Sequence, residues 1–142
     1  MNVTLVRAEW QRARQALGAA EVLRDAGYLA DALSRAYDAM LHAAKSALDV
    51  HDVATASHVA VRRMFGLHLI QSGAIEGEWG SHLGEILDDR LAADYDVEAD
   101  FSSEEANAAC EQARAFLNRI ERYLLANDLT ADDLGSEAAP PA

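Results

Sequence analysis

The chain has a single cysteine, Cys110, so no disulfide can form within it and no zinc site can be built from several thiolates. Its two prolines, Pro140 and Pro141, stand at the far C-terminus, so nothing before them is barred from helix by proline. No uninterrupted apolar run approaches the ~20 residues that a membrane-spanning helix needs. The opening residues, MNVTLVRAEWQRARQ, lack the apolar stretch of a secretory signal. Lysine is nearly absent, with Lys45 the only one. Basic residues are outnumbered 24 to 12 by acidic ones, for a net charge of −12. Such a surface repels phosphate backbones and anionic lipid, so DNA binding, general RNA coating and membrane docking are not expected. Any RNA contact would need a local arginine cluster. The expected location is the reducing cytoplasm.

What is present is helix-forming. The 142 residues make one domain, and 51% are hydrophobic, enough for a core. Val6, Trp10, Ala13, Leu17, Ala20 and Leu23 recur at three- and four-residue steps, predicting a helix from about Leu5 to Ala26. Gly27 suits its left-handed end. A second helix follows from Tyr28 to about Val50, with Leu29, Leu33, Ala36, Met40, Ala43 and Ala47 inward. So short a connection makes the pair an antiparallel hairpin. After a loop, Thr55 or Ser57 can cap a third helix that carries Val61, Met64, Phe65 and Leu69 and stops near Ser72–Gly73. A fourth runs from about Trp79 to Ala93, its start weakened by Gly77, Gly80 and Gly84. Ser102 and Glu105 have capping-box spacing and open a fifth, striped by Ala106, Ala109, Ala113, Phe116, Leu117, Ile120 and Leu124.

The expected fold is thus all-α, an antiparallel bundle of about five helices over residues 1–126. Residues 127–142 are small and acidic and read as a disordered tail.

The second helix carries a resemblance. "AGYLADALSRAYDAMLHAAKSALD" resembles the signature of a small branch of the HEPN superfamily, through Gly27, Tyr28, Ser34, Arg35, Ala36, Tyr37, Ala39, Met40, His42, Ala43 and Ala44. Asp38 and Leu41 depart from it, where Tyr and Phe are usual. His58, Phe65 and Gly73 are similar to a later His, Phe and Gly of the family, and Arg90, Ala93, Asp94 and Tyr95 to its Arg-x-x-Ala-Asp-Tyr. The resemblance implies a helical bundle, commonly a homodimer. It implies a toxin of a toxin–antitoxin pair, whose partner is a minimal nucleotidyltransferase antitoxin. Active members cut RNA without a metal, using Arg followed by four to six residues and then His. In some pairs the partner silences the toxin by adding AMP to a tyrosine.

On this reading Arg90 falls at the catalytic arginine, but no histidine follows it at the family's distance; Asp94, Tyr95 and Asp96 stand there instead. Histidine transfers protons well near neutral pH, and aspartate is a poorer acid. Arg90 and Asp94 are four apart and equally suit a structural ion pair. Arg35 and His42 are seven apart on one helix face, extended by Asp49 and opposite the Leu33–Met40–Ala47 stripe. That face is either an ion-paired surface or a polar seam at a dimer cleft. The candidate catalytic set is therefore Arg90, Asp94, Arg35 and His42. Tyr95 is the more reachable tyrosine for modification, and Tyr37 is expected to be buried.

Other patterns carry less. Arg63 and His68 share the Arg…His spacing but lie roughly 140° apart mid-helix. His58 reads as a cap or core-edge residue. The acidic stretch from Glu85 to Asp100 reads as a solvated face without calcium-loop spacing. No cofactor or metal is expected. The alternative to an RNA-cutting toxin is a non-catalytic HEPN module that holds a nucleotidyltransferase or a nucleotide.

Overall fold

The computed structural model describes residues 1–135. Among them are five α-helices and no strand: α1 (Val3–Asp25), α2 (Leu29–Asp49), α3 (His58–Phe65), α4 (Gly77–Tyr95) and α5 (Ser103–Ala126). The expected all-α bundle is the observed one. Among the described residues no helix is long and apolar enough to cross a membrane.

Three of the helices, α1, α3 and α5, begin at a side-chain cap. Asn2 accepts from the Leu5 amide at 3.3 Å and caps α1. Gly27, at φ +88, takes the left-handed turn, and the Tyr28 amide bonds back to the Leu23 carbonyl. Ser57, rather than Thr55, caps α3 by accepting from the Ala60 amide at 3.1 Å. Ser102 and Glu105 close a reciprocal capping box on α5. Capping at one such end contributes about 1 kcal/mol.

Most of the predicted stripe residues are buried, while Leu23, Leu29 and Met64 are only partly so and pack against the edge of the core. Val6, Trp10, Ala13, Leu17 and Ala20 are buried on α1, and Ala113, Phe116, Leu117, Ile120 and Leu124 on α5. Phe116 joins Phe65 and Trp79 in an aromatic cluster, with ring centroids 5.6 and 6.2 Å away. The central element is α2, which touches all four other helices. It therefore buries far more than one stripe, including Ser46 and Asp49.

Two features were not expected. A π-helical turn, Gly66–Ile70, extends α3 toward the stop at Gly73, with the Gln71 amide bonded to the Gly66 carbonyl. And order continues past the boundary placed at 126: Leu129 and Leu134 are buried, and Arg14 donates to the carbonyls of Leu134 and Gly135. Two leucines within an acidic segment are enough to anchor it. The rest of the predicted tail, 136–142, lies outside the described residues.

Gly84 of α4 has a packing reason. A Cβ at Gly84 would stand 2.5 Å from the Arg62 guanidinium, so the glycine lets Arg62 lie across α4. This close approach lets α3 lie beside α4.

Candidate functional site

The site is assembled on one face of α2. Ser34, Asp38, His42 and Lys45 follow at helical steps, so one row of polar side chains runs along the helix toward α3 and α4. With Ser57, His58 and Val61 of the α3 start and Arg90 of α4, part of this row lines an open groove of about 290 Å³.

Arg90 lies at one end. Its guanidinium stands 5.2 Å from the centroid of the Tyr37 ring. Asp38 and Asp94 lie 3.7 and 3.4 Å from its nitrogens. These ion pairs are longer than the ~2.7–2.9 Å of a charge-assisted hydrogen bond. The buried Nε makes no hydrogen bond. Arg90 is thus held by charge and by a ring face rather than by a tight fork. Asp94 also accepts a short hydrogen bond from the Ser34 hydroxyl, so its carboxylate is shared between α2 and α4.

The other end is built around Glu9 of α1. Its carboxylate contacts His42 Nδ1 at 2.7 Å and Lys45 Nζ at 3.2 Å. Burial pushes the Glu9 carboxyl up, but the hydrogen bonds from His42 and Lys45 outweigh it and hold it below the ordinary value.

His58 enters from α3. Its ring lies 5.7 Å from the Tyr37 ring, tilted by 58°. Burial, and then the Arg90 cation, push the imidazole below its ordinary value, which favours the neutral ring at pH 7. Tyr37 itself is buried, as expected, and burial pushes its hydroxyl up to about 12.

The sequence-derived candidates fall as follows. Arg90, Asp94 and His42 belong to this assembly. Arg35 does not line the groove; it is more than half exposed and reaches Asp38 at 3.5 Å, so it joins Arg90 only through that carboxylate. The face shared by Arg35, His42 and Asp49 is not one continuous outer seam. Asp49 is buried and His42 is covered by Glu9, because α1 packs on that side. Tyr95 is 76% exposed at the end of α4. Arg63 and His68 are exposed and do not line the groove.

Two groove residues lie outside the candidate catalytic set, His58 and Lys45. His58 is not a cap; Ser57 is, and His58 follows it into the groove. Lys45 lies one turn beyond His42, at the end of the same row. The available signal was the row Ser34, Asp38, His42, Lys45, which is visible once α2 is drawn as a helix. Among the described residues no group of three His, Cys, Asp or Glu side chains is placed to hold a metal ion.

The bundle and its groove define a small helical protein that gathers guanidinium, ammonium and imidazole groups in one place. The HEPN domain model matches residues 6–123, and the chain belongs to that family. It is similar to two proteins of Methanocaldococcus jannaschii. "Putative toxin MJ0605" is 32% identical, over 84% of this chain and 88% of the relative. "Putative toxin MJ0142" is 27% identical, over 84% and 81%. "UPF0332 protein PH1297" of Pyrococcus horikoshii is 40% identical over about half of each chain.

Proposed function

We propose that this chain is a toxin-like HEPN protein that cleaves RNA without a metal at the Arg90 groove, as a homodimer. The observation that carries the reading is a grouping of anion-binding and proton-transferring side chains. In a chain of net charge −12, the only lysine, two of the five histidines and Arg90 line one groove. A phosphodiester is the ligand such a set attracts. The loosely held Arg90 suits the charge that builds on phosphorus during transfer. Asp94, tied to Arg90 and Ser34, orients the guanidinium. Arg35 acts at one remove, through Asp38. The names of the Methanocaldococcus relatives support the toxin part of the reading.

The partner in this reading is a minimal nucleotidyltransferase antitoxin. Exposed Tyr95 is the residue it would modify. The test is RNA cleavage by purified protein freed of any partner, beside Arg90→Ala. Cleavage that drops by about 10²–10³-fold in the variant supports the reading. Equal activity, or none in either protein, removes it.

A second reading is a non-catalytic module that holds the nucleotidyltransferase. It is favoured by Leu91, Tyr95 and Val97, apolar side chains exposed by 45, 76 and 99% at the end of α4. Partner binding that persists in a wild type lacking cleavage would select it.

A further inference from the structure

Cleavage by a 2′-hydroxyl needs a group to take its proton and another to supply one to the departing 5′-oxygen. The segment after Arg90, Leu91–Asp96, has no histidine. Its Asp94 is already engaged by Arg90 and Ser34. On the ribonuclease reading above, on which this inference rests, a histidine acceptor has to come from another helix.

We propose that His58 is that acceptor, a catalytic residue presented from α3 instead of from the helix of Arg90, and that His42 is the donor. Three observations place His58 in the role. Its backbone is held at the first position of α3 by the Ser57 cap. Its ring rests against Tyr37, the same buried ring that carries Arg90, so one rigid platform sets both groups. The side chain is exposed to the groove, and neither ring nitrogen has a hydrogen-bond partner among the described residues, which leaves the ring free to meet a hydroxyl.

The surroundings divide the labour between the two imidazoles. Facing His58 are Arg90 of α4 and, from α2, Lys45, His42 and the single carboxylate Asp38. Its neighbours are thus mostly positive, and the neutral ring is the form suited to accept a proton. His42 has the opposite setting. The Glu9 carboxylate accepts from its Nδ1 at 2.7 Å, which fixes the ring and leaves Nε2 as the nitrogen that can donate to the departing oxygen.

The step balances without any co-reactant. His58 takes the 2′-hydroxyl proton as the 2′-oxygen bonds to phosphorus, beside Arg90. The bond from phosphorus to the 5′-oxygen breaks, and that oxygen takes the proton from His42. The products are a 2′,3′-cyclic phosphate and a 5′-hydroxyl, with His58 left protonated and His42 neutral until exchange with water resets them.

The experiment uses the full chain with a labelled RNA oligonucleotide in the presence of a chelator, comparing wild type, His58→Ala and Arg90→Ala. The expected result for His58→Ala is a fall in kcat of about 10²–10⁴-fold, with KM and thermal midpoint unchanged. Added imidazole should restore part of the rate. The limb on which kcat/KM rises with pH should disappear. Ring-proton NMR of His58 should shift on adding a 2′-deoxy analogue of the oligonucleotide, which binds but cannot react. If His58→Ala cleaves within twofold of wild type while Arg90→Ala does not cleave, this proposal falls and the ribonuclease reading stands. A loss that imidazole does not rescue, with the pH profile unchanged, or His58 resonances that ignore the analogue, also overturns it. A wild type that cuts no RNA sinks both.

Discussion

Two grooves flank α4, and each encloses about 290 Å³. On the α2–α3 side the lining carries Arg90, Lys45, His42 and His58 with one carboxylate, Asp38. On the α5 side it carries Glu85, Asp89 and Glu105 with Gln112 and no cation. There the Asp89 carboxyl is pushed above its ordinary value, by burial and then by Glu105, Asp88 and Glu85. The volume on offer is the same, so size does not separate the two grooves. Charge does. The acidic groove is what composition leads one to expect of this chain, and the cationic one is the exception that three helices have to build.

Equal changes on the two sides of α4 have unequal expected effects. The largest belongs to Arg90→Ala, with kcat for RNA cleavage lower by about 10²–10³-fold, while Asp89→Asn in the acidic groove leaves cleavage unchanged. An Asp89→Asn effect of similar size would erase the distinction between the grooves. The next is Lys45→Ala. Titrating RNA binding against salt should show weaker affinity and a slope smaller by about one, the signature of one lost phosphate contact.

A third prediction concerns the buried acid behind the cationic groove. The Asp49 carboxyl is pushed up to about 6, by burial and then by Glu9. Its buried Oδ2 has no hydrogen-bond partner. The folded chain therefore holds this proton more tightly than the unfolded chain. Ionising Asp49 destabilises the fold, fully above about pH 6 and not below about pH 4. Asp49→Asn should raise stability by roughly 1–2 kcal/mol at pH 7.5 and lose that advantage at pH 4, read from thermal midpoints. The smallest effect is that of Asp89→Asn on stability, a gain of less than about 0.5 kcal/mol, since this side chain is exposed and water screens its neighbours.

Much of the bundle was legible before any coordinates. The row Val6–Trp10–Ala13–Leu17–Ala20 is buried as its spacing implies, Gly27 ends α1, and Ser102 with Glu105 opens α5. Arg90 and His42 could be picked out as chemistry-bearing residues. Their meeting with His58 and Lys45 could not. Nor could the packing of Leu129 and Leu134, which have no periodic pattern to announce them.

Helix positions, their inward stripes and their caps were written in the chain itself, because each depends on residues within about four positions of one another. The meeting of Arg90, His58, His42 and Glu9 was decided by tertiary structure alone. These side chains sit on four helices. Which of them face a common groove depends on how each helix is rotated about the shared core, and local spacing carries no record of that rotation.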